Sequence, residues 1–206
     1  MSYQTNIIPV VIVSLGFVLV TLLSQFLNPF IETVLLPIFT VVINLIGDYY
    51  RVTQFSIGHM SGNADELYKL TVITTKEVQF PLDKINAGGE LSSQTLIGHT
   101  QQHFFVLFGI LFISLAKQPK KLLLALLLGI PGWLLIEILD VPWVLCGAIE
   151  GLVFSYVDPE SLDTSPLLIW TRILNSGGRI AISIIVGLII IQASERLTTL
   201  KPFNLS

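Results

Sequence analysis

The chain has little charge and almost no cysteine. Asp, Glu, Lys and Arg make up 12% of its 206 residues, against about 25% in an ordinary soluble domain. A single cysteine, Cys146, excludes a disulfide within the chain. The net charge is −3 and no stripe is rich in Lys and Arg, so nucleic acid is not an expected partner. This shortage of charge points to a membrane protein.

Familiar catalytic motifs are missing as well. The sequence contains no Walker loop, G-x-G-x-x-G, G-x-S-x-G, H-E-x-x-H or C-x-x-C motif. Nucleotide use, zincin-type hydrolysis and nucleophile-elbow chemistry are therefore not expected. The opening MSYQTN carries no Lys or Arg, and no A-x-A-like cleavage site follows it. We expect the first apolar run to be retained as a membrane helix, because a secretory signal needs both features.

Long apolar runs are abundant. Hydrophobic residues make up 52% of the chain, and several runs approach the ~20 residues that cross ~30 Å of hydrocarbon. We predict an all-α polytopic membrane protein with about five transmembrane helices and a small extramembrane lobe between the second and the third. Its parts are two N-terminal membrane segments (1–47), the lobe (48–98), a transmembrane hairpin (99–140), an interfacial or re-entrant segment with an acidic loop (141–166), and the last span with a cytoplasmic tail (167–206).

The lobe differs in character from the rest of the chain. Its six acidic residues outnumber its four basic ones, and the stretches 70–75 and 77–80 are rich in β-branched and alternating residues. Such stretches are typical of short strands, and Pro81 and residues 87–89 supply turns. We expect a short β-hairpin that rests on the membrane surface.

Lysines determine the expected orientation. The turn of the hairpin carries Lys117, Lys120 and Lys121, and Lys or Arg in short loops favours the cytoplasmic side. The lobe and the N-terminus then lie outside a cytoplasmic (inner) membrane and the C-terminus lies inside. The run 30–47 is interrupted by a glutamate and a proline; if it does not span, the count falls to four and the N-terminus lies inside.

Ionisable groups on three helices fall at a similar depth. From the basic turn, His103 lies roughly 21 Å and Glu137 roughly 24 Å along their helices, and Arg179 lies roughly 24 Å from the end of the last one. Such groups are costly near hydrocarbon unless they are paired or hydrated. The simplest interpretation pairs Arg179 with Glu137 or Asp140.

A metal site is one alternative. His99 and His103 lie one helical turn apart, and Glu137 and Asp140 share a face of another helix. Two histidines with carboxylates suit Zn, Cu or Fe, so these four residues are the candidate ligands. A proton or substrate pathway through His103, Glu137 and Asp140 is another interpretation.

Two short motifs resemble a family of membrane enzymes. Cys146-Gly147 and residues 175–180, NSGGRI, resemble the cysteine and arginine elements of exosortases and archaeosortases, which cut and transfer sorted proteins at the outer face. The resemblance implies Cys146 and Arg179 as catalytic residues. In that family a histidine follows the arginine, whereas all three histidines here precede Cys146. His99 or His103 would serve as base only if the fold brought it round.

The function we expect is non-catalytic. The chain is small, holds no complete catalytic set and has small residues in several apolar runs, which favour close helix packing. We expect a subunit or assembly component of a larger membrane complex, with the lipid bilayer and other membrane subunits as partners and the lobe as docking element. The alternatives are an outer-face metal-binding protein and an exosortase-like cysteine transpeptidase or protease that uses Cys146, Arg179 and His103.

Overall fold

The protein contains both helices and an antiparallel sheet. The structure is a computed structural model that describes residues 14, 16, 18, 30–59, 65–79 and 82–199. A π-helical turn (Ile31–Leu35) leads into helix α1 (Leu36–Ile46); strands β1 (Tyr50–His59), β2 (Glu66–Thr74), β3 (Val78–Gln79), β4 (Lys84–Ile85) and β5 (Glu90–Leu96) follow. Next come helices α2 (Gly98–Leu115) and α3 (Pro119–Val157), a 3-10 turn (Pro159–Asp163), helix α4 (Pro166–Ile173), a π-helical segment (Leu174–Gly178) and helix α5 (Arg179–Thr199).

The predicted all-α fold with five membrane spans is wrong. The lobe contains a three-stranded antiparallel sheet in the order β1-β2-β5 and a separate pair, β3-β4. Among the described helices, two are long and apolar enough to cross a membrane, Pro119–Val157 and Pro166–Thr198. The apolar helix Ile31–Ile46 is about 24 Å long, which is less than the ~30 Å of hydrocarbon. Most of the predicted first span, 7–27, lies outside the described residues.

Two helix boundaries also differ from expectation. The chain runs on as helix α3 past Asp140 to Val157, where we predict a separate interfacial segment. Pro142 removes one backbone donor from this helix, a loss that neighbouring helical bonds can accommodate. The last predicted span is instead interrupted, because Gly177 leaves helical geometry between α4 and α5.

The chain forms two compact units. One unit comprises residues 27–100 and 137–179, and contains α1, the sheet and α4. The other comprises residues 1–26, 101–136 and 180–206 and is helical where described. Helices α2, α3 and α5 contribute residues to both units.

The first unit is organised around the inner face of the sheet. Along β2, Tyr68, Leu70 and Val72 are buried, while Lys69 and Ile73 between and after them are exposed, as expected when successive side chains point to opposite faces. The ring of Phe39 on α1 meets the ring of Tyr68 edge-on at a centroid distance of 5.9 Å. Burying each large apolar side chain here contributes about 1.5–3 kcal/mol.

The helical unit packs through aromatic rings and glycines. Phe104 lies 4.6 Å from Phe108 and 5.6 Å from Trp133, measured between ring centroids. A Cβ added at Gly132 would lie 2.8 Å from Ile190 Cδ1. This glycine therefore lets α3 and α5 approach closely, as small residues do in packed helices.

Candidate functional site

A buried ion pair joins helix α3 to the start of helix α5. Arg179 Nε donates to Asp140 Oδ2 at 2.7 Å, and the two side chains are 6% and 2% exposed. Arg179 Nη1 also donates to Asn175 Oδ1 at 2.6 Å. The prediction that Arg179 pairs with Glu137 or Asp140 is confirmed, with Asp140 as the partner. Breaking such a pair would be costly, because it would leave one charge buried without its partner.

Two adjacent glycines interrupt the helix before Arg179. Gly177 has φ 104° and ψ −3°, a conformation that favours glycine. A Cβ at Gly178 would lie 2.6 Å from Ile173 O, so the second position also needs glycine. The interruption makes Arg179 the first residue of α5.

A chain of three buried side chains connects the sheet to helix α3. Thr100 Oγ1 donates to Glu137 Oε2 at 2.7 Å. A hydroxyl has one hydrogen to donate, so Tyr68 OH is the donor in its 3.0 Å contact with Thr100 Oγ1. All three residues are fully buried. Burial raises the pKa of Tyr68 well above its ordinary value and the nearby Glu137 charge raises it further, so the phenol keeps its proton.

The single cysteine is buried beside a tyrosine. Cys146 is inaccessible and shares a side-chain hydrogen bond with Tyr50. Burial raises the pKa of Tyr50 well above its ordinary value. A Cβ at the adjacent Gly147 would lie 3.0 Å from Leu167 O, so α4 packs directly on α3 at this point. The thiol thus lies where α3 and α4 pack together, beside the phenol of Tyr50.

The three histidines lie in different surroundings. His103 is buried, and its Nδ1 lies 2.8 Å from Ser183 Oγ. His99 is half-buried in the first turn of α2, and His59 is exposed at the end of β1. His103 and Ser183 form a buried polar pair between α2 and α5 within the helical unit.

The four predicted metal ligands, His99, His103, Glu137 and Asp140, do not build a metal centre in the described part of the chain. No group of three or more His, Cys, Asp or Glu side chains that could hold a metal ion occurs there. Asp140 bonds instead to Arg179, Glu137 to Thr100 and His103 to Ser183. None of these partners is a predicted metal ligand. The described structure therefore does not bring these four residues together as one group of ligands.

The residues of the cysteine-enzyme alternative have separate partners. Cys146 bonds to Tyr50, Arg179 to Asp140 and His103 to Ser183. A cysteine nucleophile needs a base or a group that lowers its thiol pKa, and the side chain that bonds to Cys146 is a phenol. Comparison of the chain with protein-family models, with curated proteins and with solved structures found no match.

Sequence reasoning missed the neutral members of these pairs, Tyr50, Tyr68, Thr100 and Ser183. A lone Thr or Ser in an apolar run gives no signal, because its hydroxyl commonly bonds to the backbone of its own helix. Tyr68 stands in a mixed polar stretch and Tyr50 at the end of an apolar run. Only the adjacent pair Tyr49-Tyr50, placed where a helix ends, could have drawn attention.

Proposed function

We propose that this chain is a multi-pass integral membrane protein and a non-catalytic subunit or scaffold of a larger membrane complex. In this proposal the lobe, residues 48–98, lies outside the membrane and docks a partner protein. The observation that carries the proposal is the hydrogen-bond chain from Tyr68 through Thr100 to Glu137. It uses buried polar groups to fix a folded sheet on a helix, which supports a role for the sheet as a rigid platform.

Two long apolar helices supply membrane segments of this proposal, and helix α2, which joins the lobe to the basic turn, is proposed to cross as a third. In both Pro119–Val157 and Pro166–Thr198, 28% of the most apolar window is buried, so most of these apolar side chains face outward. Leu123, Leu127 and Ile130 on α3 are each more than half exposed and share one face of the helix. Lipid accommodates an apolar face of this kind, whereas water does not.

Basic side chains support the proposed orientation. Lys117 and Lys120 are exposed at the turn between α2 and α3, and Arg196 is exposed near the end of α5. Lysine and arginine in short loops favour the cytoplasmic side of a membrane. Helix α2 leads from the lobe to this turn, so in the proposal its crossing puts the lobe on the opposite side.

The docking surface in this proposal is the outer face of the sheet, the side opposite Tyr68. Cross-strand register brings Arg51, Ile73 and Glu90 side by side on this face, and all three are exposed. An apolar side chain between opposite charges offers a partner one desolvated contact and two charges that select orientation. The fitting partner is a protein surface with an acidic group opposite Arg51 and a basic group opposite Glu90.

The experiment is a comparison of two exposed aliphatic side chains in the lobe. Ile73→Asp changes the outer face of the sheet, whereas Leu82→Asp changes a 68% exposed position outside the three-stranded sheet. The particle would be extracted from native membranes in mild detergent and its mass and subunit stoichiometry measured. We expect a stoichiometric second protein with the wild type and with Leu82→Asp, and its loss with Ile73→Asp. A wild-type particle that contains this chain alone would refute the proposal.

A further inference from the structure

The two edges of the three-stranded sheet differ. Strand β1 carries a bulge between Val52 and Gln54, and bulges are a device that prevents further strand pairing. Strand β5 pairs with β2 without any irregularity, and Ser92 to Thr95 in its middle carry no charge and no proline. No residue of β5 is buried, and no described strand lies beyond it. The β5 edge therefore lacks the protection that the β1 edge has.

Backbone groups of β5 alternate between β2 and the open edge. Ile97 N donates to Glu66 O, and Thr74 N donates to Gly89 O, so odd-numbered residues bond to β2. In an antiparallel ladder the residues between them direct their N–H and C=O the other way. Glu90, Ser92, Gln94 and Leu96 thus present a regular row of donors and acceptors that an added strand would satisfy.

The hydroxyl of a half-buried serine at the centre of this strand has no partner among the described residues. Ser93 Oγ is inaccessible and makes no hydrogen bond among the described residues. Leaving such a group without a partner is unfavourable. Rotation about the Cα–Cβ bond would turn this hydroxyl toward the side chain directly opposite on an added strand, and serine pairs across strands bond in this way.

We propose that two copies of this chain pair through their β5 strands, antiparallel, around a two-fold axis at Ser93, to make one continuous sheet. This register is the one that overlaps the whole strand and joins outward-facing residues to each other, Ser92 to Gln94 of the partner subunit. It sets Ser93 opposite Ser93 of the partner subunit, where each hydroxyl finds the other. The two Glu90 carboxylates lie at opposite ends, so the pairing is self-complementary, as a two-fold interface requires. It does not depend on the docking of another protein.

Single cysteines test the register in native membranes. The full chain with Ser93→Cys would be mildly oxidised and run on a non-reducing gel. Residues opposite each other at a non-hydrogen-bonded position have Cα atoms about 4.5 Å apart, close enough for a disulfide. We expect most of this variant to run as a dimer. The matched control Leu91→Cys should remain monomeric, because the two copies of residue 91 lie roughly 13 Å apart. Adding Thr95→Cys to Leu91→Cys should restore the dimer.

A proline tests the backbone contacts. In the Ser93→Cys background, Ser92→Pro removes an outward N–H without touching the ladder to β2, and should reduce the crosslinked fraction at least tenfold. Ser92→Ala should leave that fraction unchanged. Equal thermal midpoints of the two variants would show that the proline has not unfolded the sheet; if they differ, the cysteine series alone decides. Monomeric Ser93→Cys, equal crosslinking at residues 91 and 93, or crosslinks to a different protein would each overturn the proposal.

Discussion

Buried polar side chains in this protein bond to partners that lie far along the sequence. Arg179 and Asp140 are 39 residues apart, and His103 and Ser183 are 80 apart. The sequence could identify Glu137 or Asp140 as the partner of Arg179, because an arginine at that depth needs a carboxylate and few are present. The sequence could not identify the hydroxyl partners. Ser and Thr are common in apolar helices, and an uncharged hydroxyl does not require a partner of opposite charge.

The ion pair between Arg179 and Asp140 should dominate the response to charge removal. Arg179→Leu should cost roughly 3–5 kcal/mol, because it leaves a buried carboxylate without its cation. Adding Asp140→Leu should recover a large part of that loss. The measurement is a double-mutant cycle of unfolding in detergent, and simple additivity of the two changes would contradict the pairing.

An exposed pair of the same residue types provides the control. Arg172 and Asp163 lie 2.8 Å apart, with side chains 57% and 84% exposed. Surface pairs contribute about 0–1 kcal/mol, so Arg172→Leu should have little effect. A comparable loss at both arginines would mean that the buried position has no special role.

Thr100 should stabilise the lobe through its single hydroxyl. Thr100→Val keeps the shape of the side chain but removes the donor to Glu137 and the acceptor for Tyr68. We expect a loss of about 1–3 kcal/mol and faster hydrogen exchange in β2. The control is Thr40→Val, because Thr40 bonds only to the backbone of its own helix and should cost under about 1 kcal/mol. Equal costs at the two threonines would argue against the chain of bonds.

At the scale of elements, the sequence identified parts of the sheet and not its extent. The predicted strand 70–75 falls largely on β2, and the stretch 77–80 contains β3. The two do not form the predicted hairpin, because β2 pairs with β1 and β5 whereas β3 pairs with β4. Strands β1 and β5 were both missed, although β1 reads YRVTQFSIGH and is rich in β-branched and aromatic residues; β5 reads ELSSQTL and has few of them. Pairing with β2 makes them strands, and cross-strand neighbours decide this more than intrinsic preference does.

The interruption between α4 and α5 depends on a left-handed glycine. Gly177→Ala would force a Cβ into φ 104° and should destabilise the protein by about 1–2 kcal/mol. Gly109→Ala is the control, because a Cβ there meets nothing within 4 Å and helix propensity favours alanine by about 1 kcal/mol. Thermal midpoints in detergent should therefore move in opposite directions. Stabilisation by Gly177→Ala would mean that a continuous helix is preferred.

At the scale of the whole molecule, exposed apolar side chains can be tested for whether lipid or water surrounds them. Leu127 on α3 and Leu82 in the lobe are both well exposed. Arginine inside a membrane helix costs about 2.5–3.5 kcal/mol on insertion, so Leu127→Arg should lower the fraction of chain that remains in membranes after a carbonate wash. Leu82→Arg should leave that fraction unchanged. Equal behaviour of the two variants would place α3 outside the bilayer.

The sequence by itself determined that two segments are apolar enough to cross a membrane, the basic turn, the β character of part of the lobe and the need of Arg179 for a carboxylate. These properties are local, because composition and spacing along one segment are enough to establish them. Only the tertiary structure decided the strand order, the bonds of Tyr68, Thr100 and Ser183, the burial of Cys146 and the open edge at β5. Each depends on which distant segments pack together. The packing energy between two segments cannot be inferred from the sequence of either segment alone.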